Sequence, residues 1–256
     1  MQPDEAVAAL AADQPGISRP SRQEYLSTGS LVLDNAMGGY PVGGVTEITG
    51  DPMSGKTTLA YLAVKSMQER EEGPVLLIDR DGFSPVRAAL AGIDVDYLIV
   101  AGGNFPPNRL GPIRHVVVDG AGLLLGGWHP KGVTVVATSW RYRTAKCLGD
   151  WSLPWLDLTK AGKHAPTVAE IRTSRSPEVK RVELPMAHGA LSRELELLAL
   201  ADQAGIIRRS PNGTHWYLQA YLEIYLGSGR EAAARKLAKL PDIDIEQWVR
   251  RILTSR

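Results

Sequence analysis

Short apolar runs bounded by glycine and charge recur through the chain, at residues 45–49, 75–79, 97–100, 115–119, 133–138, 168–173 and 179–184. Each has the length of a strand. Several are unbroken rather than alternating, as strands covered on both faces of a parallel sheet should be. Helical periodicity is scarcer. Residues 58–70 predict one strong helix, and residues 84–91 a second, with Ser84 and Pro85 as N-cap and first-turn pair. Residues 192–204 predict a third, its apolar face running through Leu195, Leu198 and Ala199. Glycine and proline at 102–113 and 120–131 leave no room for long helices there. With fewer helices than strands, the sheet is either covered incompletely or covered by something else.

The strand–helix alternation starts at Ser27 and favours an α/β fold with a mostly parallel central sheet. Before it, residues 4–12 are an Ala-rich helix candidate with Asp4 as a possible N-cap, cut off by Pro15-Gly16 and Pro20. Residues 1–26 therefore read as a short arm, and residues 27–204 as the core. Beyond residue 204 the punctuation changes. Ser210-Pro211-Asn212-Gly213 is a turn signal, residues 229–240 a basic helix and residues 244–253 a final helix, so residues 205–256 read as a small α+β C-terminal domain.

Between the run at 45–49 and the helix at 58–70 lies Gly50-Asp51-Pro52-Met53-Ser54-Gly55-Lys56-Thr57, which fits G-x-x-x-x-G-K-[ST] in its strand-before, helix-after context. Glycines at those places let backbone N–H groups turn toward phosphate oxygens, and the following helix aims its positive end at the same anion. Lys56 adds a mobile charge and Thr57 a Mg²⁺-ligating hydroxyl. The pattern predicts binding of a nucleoside triphosphate. A carboxylate must help to hold the metal, and Asp119, closing the apolar run at 115–119, is the first candidate. Asp79 and Asp81, closing the run at 75–79, are the alternatives. Both runs are expected to end over the nucleotide, because ligands of open α/β sheets sit beyond the strands' carboxyl ends. A second carboxylate there would orient or activate attacking water, and Asp81 is placed for it; its other reading is a solvated turn residue.

Composition narrows the partners. The 256 residues, 44% hydrophobic and 22% charged, carry a net charge of +1, so nucleic-acid contact must come from a local patch. Cys147 is the only cysteine, which excludes an internal disulfide, and five scattered histidines offer no zinc spacing. No signal peptide or bilayer-length apolar run is visible, so a cytoplasmic protein without a membrane partner is expected.

Leu26-Ser27-Thr28-Gly29-Ser30-Leu31-Val32-Leu33-Asp34 and the segment from Gly38-Gly39-Tyr40 to Gly50, leading into the phosphate loop, resemble the corresponding stretch of bacterial RecA recombinases. Ile78-Asp79-Arg80-Asp81, residues 85–96 and Val117-Val118-Asp119 follow the same family's order, and Ala204 to Ser210, Trp216-Tyr217 and Gly227 to Ala233 are similar to its small terminal domain. The resemblance implies a RecA-like P-loop NTPase core using ATP and Mg²⁺. It implies phosphate contacts from Gly50, Asp51, Pro52, Met53, Ser54, Gly55, Lys56, Thr57 and Thr58, metal at Thr57 and Asp119, and catalysis by Lys56 and Asp81, where RecA has a glutamate. Arg87 stands where the family stacks an aromatic ring on adenine; a solvated surface arginine is the other reading.

The departures are as informative as the matches. Only residues 120–132 join the Asp119 run to the next strand, where the family carries a mobile DNA-binding loop and a helix, and Ser139-Trp140 stands where it carries a phosphate-sensing glutamine. What remains of a second DNA loop is Arg141, Tyr142, Arg143 and Lys146, followed by Trp151 and Trp155. Basic residues interleaved with aromatics suit single-stranded DNA, and a solvated loop with packed tryptophans is the alternative. Arg172 and Arg175 lie where the family presents cations to a neighbour's nucleotide, unless they only keep an exposed strand edge soluble. Arg230, Arg235, Lys236 and Lys239 would reach duplex DNA or form a solvated helix face. The resemblance implies a DNA-dependent ATPase of homologous recombination and DNA repair that assembles with itself or with a recombinase. The alternative is a non-catalytic regulatory RecA paralogue, like the accessory factor ImuA, that binds protein partners.

Overall fold

A computed structural model describes residues 23–70, 73–80, 82–102, 110–120, 130–140, 154–160, 166–173, 176–187, 190–219, 223–240 and 244–254. Its centre is an eight-stranded sheet in the order β10-β9-β8-β3-β7-β6-β4-β5. The strands are β3 (Val45–Gly50), β4 (Val75–Asp79), β5 (Leu98–Gly102), β6 (His115–Asp119), β7 (Thr134–Trp140), β8 (Trp155–Lys160), β9 (Thr167–Thr173) and β10 (Ser176–Leu184). From β8 to β5 every pairing is parallel; β9 runs antiparallel to both of its neighbours. Two-stranded ribbons pair β1 (Tyr25–Leu26) with β2 (Tyr40–Pro41) and β11 (Met186–Ala187) with β12 (Ala190–Leu191). This is the mostly parallel α/β architecture that the apolar runs predict.

Those runs are unbroken because alternate side chains enter two different cores. Ile48, Leu77, Val117 and Val136 share the core with helix α2 (Lys56–Gln68), which packs across β3, β4, β6 and β7, and Leu156 and Leu158 extend that core along β8. Val45, Leu76, Val116, Val135 and Ala137 form the second cluster, which Leu110, Ile113 and Val133 complete from non-helical connections. That second face is thus buried without a long helix among the described residues.

Several elements had no counterpart in the sequence reading, among them the two ribbons, one helix and one central strand. Helix α1 (Leu31–Met37) starts where the Ser30 side chain accepts from the Leu33 N–H and stops at Gly38 in the left-handed conformation. Strand β8 begins at Trp155, so that residue belongs to the sheet and not to the basic loop before it. Helix α3 (Pro85–Leu90) has the expected Ser84 cap. Helix α4 (Arg193–Gln203) buries Glu196, Leu197, Leu198, Leu200 and Ala201, a wider surface than the expected stripe, and Leu195 and Ala199 lie at its margin. It is enclosed from several sides, packing on α1, on α5 (Arg230–Leu237), on α6 (Ile245–Thr254) and on β13 (Ile207–Arg209). The predicted turn at 210–213 joins β13 to β14 (His215–Gln219), and β15 (Glu223–Ser228) completes a three-stranded antiparallel sheet. Trp216, Leu218 and Leu226 bury its inner face together with Ala233, Ala234 and Leu237 of α5.

Candidate nucleotide site

β3 ends at Gly50 and α2 begins at Lys56, so the phosphate-loop residues span the gap between a central strand and a helix. Gly50 and Gly55 have φ of 151° and 99°, and Met53 has φ of 60°. At Gly50 a Cβ would stand 2.4 Å from the Leu158 carbonyl oxygen, and at Gly55 2.5 Å from Met186 Cε. Conformation favours glycine at both places, and at Gly50 the Leu158 backbone also leaves no room for a side chain, whereas at Gly55 the flexible end of Met186 can give way. A left-handed N-cap at Gly55 also lets α2 start at Lys56, two residues earlier than the expected helix.

Lys56 Nζ donates to the carbonyls of Gly50 at 3.0 Å and Asp51 at 2.7 Å, which holds its charge on the loop. The Ser54 hydroxyl is buried with no hydrogen-bond partner. A buried hydroxyl left so costs about 1–3 kcal/mol, and a phosphate oxygen received by this loop would satisfy it. Thr57 and Thr58 are half-buried in the first turn of α2. The loop residues therefore fit a bound phosphate group.

Asp79 and Asp119 end neighbouring parallel strands in direct register. By strand alternation both share the face of Leu77 and Val117, the side on which α2 packs. Both are buried, and both are fixed by turns at the strand ends. The Gly82 N–H donates to Asp79 Oδ1 at 3.0 Å. The Gly120 N–H donates to Thr138 Oγ1, which in turn donates to Asp119 Oδ1. The structure thus brings the first metal-ligand candidate and its alternative side by side. Asp81 lies outside the described residues.

Arg87, exposed on α3, sets its guanidinium 5.8 Å from the centroid of the Tyr61 ring. Tyr61 is a site neighbour that the sequence reading missed. Burial raises its phenol above the ordinary value; the Ser84 N–H and Arg87 oppose that shift, and Asp79 and Asp119 add to it. A cavity of about 890 Å³ runs beside α2 from Thr58 past Tyr61 and Lys65, walled by Arg87 on one side and by Arg193 and Glu196 on the other. Also missed were two buried polar pairs on the sheet's opposite face. Thr49 Oγ1 donates to Asp157 at 2.8 Å and Ser139 Oγ to Glu47 at 3.2 Å. The acid within the apolar run of β3 and the alternation of β8 were their only signals.

Arg172 is not on a sheet edge. β9 lies between β8 and β10, and the Arg172 guanidinium stands 5.1 Å from the centroid of the Trp155 ring opposite it. The reading of Arg172 as a solubilising edge charge is therefore overturned. Arg175 and the loop residues Arg141, Tyr142, Arg143 and Lys146 lie outside the described residues.

Residues 12–121 match the model of the RecA N-terminal domain family. Over 99 residues the chain is 40% identical to protein RecA of Chlorobaculum parvum, covering 38% of this chain and 28% of that protein. Over 82 residues it is 46% identical to protein RecA of a Synechococcus species, covering 31% and 22%. In these matches the chain thus spans about a quarter of its relatives' length. Protein RecA of Lactobacillus delbrueckii subsp. bulgaricus is 26% identical over 90% of this chain and 87% of its own.

Proposed function

We propose that the chain is a divergent member of the RecA family that binds ATP with Mg²⁺ and hydrolyses it in response to single-stranded DNA, serving recombination and repair. The observation that supports this most is the phosphate loop at the β3–α2 junction with Asp119 and Asp79 at the ends of the neighbouring strands. In this reading Gly50 to Thr58 receive the phosphates and Thr57 and Asp119 hold the metal. Lys56 neutralises charge on the transferring phosphate, and Asp81 orients water. Arg87 lies along the base, the loop with Arg141, Tyr142, Arg143 and Lys146 meets the DNA, and Arg172 and Arg175 serve a neighbouring copy's nucleotide.

A second reading, a non-catalytic regulatory paralogue that binds protein partners, draws on the short connection from Asp119 to Thr134 and on Trp140 lying in strand register with Gly50. One assay separates the two. ATP hydrolysis is followed with and without single-stranded DNA for the native chain and for Lys56→Ala. The ATPase reading expects DNA-stimulated turnover that falls at least about a hundredfold in the variant, because a preorganised charge on the transition state is lost. ATP binding with no turnover under either condition would instead establish the regulatory reading.

A further inference from the structure

Arg70, Arg181, Arg193, Arg208, Arg209 and Arg250 each pair with a carboxylate. Among the described residues Arg87 has no such partner. Its guanidinium lies instead over the Tyr61 ring, within the range of a cation–π contact. That ring is itself fixed. Tyr61 is 4% exposed, the Phe83 ring centroid lies 6.4 Å away, and the Ser84 N–H points to the phenol oxygen at 3.5 Å. Ser84 is also the cap of α3, where its hydroxyl accepts from the Arg87 N–H. The first turn of the helix that carries Arg87 is thus tied to the ring over which its guanidinium lies.

Both residues line the cavity beside α2. Thr58, Tyr61, Leu62 and Lys65 recur at helical spacing along one face of α2, and this wall begins at the residue next to Thr57. Leu90 and Ala91 after Arg87 and Leu191 across the cavity add apolar surface. The charged groups of the opposite wall are already engaged. Arg193 donates to both carboxylate oxygens of Glu246, and Glu196 Oε1 accepts from Ser30 and Val32. A flat ligand entering from the phosphate loop therefore meets a guanidinium face and apolar side chains. Core packing accounts for Tyr61, but it does not account for an exposed arginine laid over that ring without a carboxylate, at the wall of a cavity that opens beside the phosphate loop.

We propose that Tyr61 is the positioning residue of a base subsite: it holds the Arg87 guanidinium flat, and the base of a purine nucleoside triphosphate stacks on the guanidinium's other face. The inference rests on the phosphate-loop reading above and adds what selects the ligand. A guanidinium is planar and stacks on π faces, so a ring on one side leaves the other side for a base. A free arginine would lose rotamer freedom when the nucleotide arrives, whereas the contact with Tyr61 orders it beforehand. Stacking depends on ring area and not on the donors and acceptors at a base's edge. The subsite therefore favours purines over pyrimidines and separates adenine from guanine poorly.

The test is isothermal titration calorimetry of the full chain with ATP, GTP, UTP and inorganic tripolyphosphate, each with Mg²⁺. The native chain should hold ATP at least about fivefold tighter than UTP or tripolyphosphate, with GTP within about threefold of ATP. Arg87→Gln, an exposed change that should melt with the native chain, should remove the advantage of ATP over tripolyphosphate. Arg87→Lys should remove it too although the charge is kept, because an ammonium has no face to stack on. Tyr61→Leu should lose the advantage and Tyr61→Phe retain it. Tyr61→Leu combined with Arg87→Gln should be no weaker than either alone, since one residue acts through the other. Tripolyphosphate affinity should stay native throughout. Native preference for ATP in Arg87→Gln or in Tyr61→Leu would overturn the proposal, as would a native preference for ATP over GTP of about tenfold or more, the signature of hydrogen bonds to the base edge. A native chain that binds tripolyphosphate as tightly as ATP loses the base subsite and keeps the phosphate site; one that binds neither loses both.

Discussion

Glu196 lies buried where α1 meets α4, and both the Ser30 hydroxyl and the Val32 N–H donate to its Oε1. Burial raises its pKa; the bonds from Ser30 and from the α1 backbone and the charge of Arg193 oppose that shift without cancelling it. The folded chain therefore holds this proton more tightly than the unfolded chain does. Its stabilising contribution is complete below the ordinary glutamate range and is lost as pH rises through the raised folded value. Glu196→Gln keeps an oxygen for both donors and removes the buried charge, and the adjoining cavity gives water access to the new amide. Urea denaturation should show the variant more stable by on the order of 1 kcal/mol at about pH 8, with the difference shrinking toward about pH 4. A difference independent of pH would show that Glu196 is not the titrating group.

Helix α6 illustrates which interaction decides at the level of an element. Glu246 pairs with Arg193 of α4 and with Arg250 one turn on, a visible cluster whose members are a third to a half exposed. Exposed pairs of this kind contribute about 0.2–1 kcal/mol. The helix also buries Ile245 and Val249 in the main core, with Trp248, Ile252 and Leu253 packed against it. Loss of two buried methyl groups leaves a cavity and costs about 2 kcal/mol. Val249→Ala should therefore lower unfolding free energy by about that amount, and Glu246→Gln by less than half as much; the reverse order would mean that the ion pairs hold the helix. Helix α6 was legible in the sequence as a final helix, as were the unbroken central strands. Helix α1 was not, because Leu31-Val32-Leu33 is too short an apolar run for periodicity to tell helix from strand. Its Ser30 cap and Gly38 stop were the usable signals. Strand β8 escaped notice because its two ends, Trp155 and Lys160, resemble the aromatic–basic loop before it.

At the scale of the whole molecule, the phosphate loop was legible because its residues are contiguous, whereas what leans on it comes from far along the chain. Met186, on the β11–β12 ribbon, touches the place where a Gly55 side chain would be. The ribbon leads through Ser192, the N-cap of α4, into the helix on which α1, α5 and α6 all pack. A ligand that stiffens the loop therefore stiffens its neighbour first and the remote sheet last, because coupling needs physical contact between elements with alternative arrangements. Hydrogen exchange with and without ATP and Mg²⁺ should show slowing at residues 50–58 and, more weakly, at 186–191, with the β13–β15 sheet unchanged. Met186→Ala, which removes the contact without altering the loop, should abolish the slowing at 186–191 and preserve it at 50–58. If the ribbon stays protected in that variant, or if the β13–β15 sheet is protected as strongly as the loop, the link runs through some other part of the core and Met186 is only a packing residue.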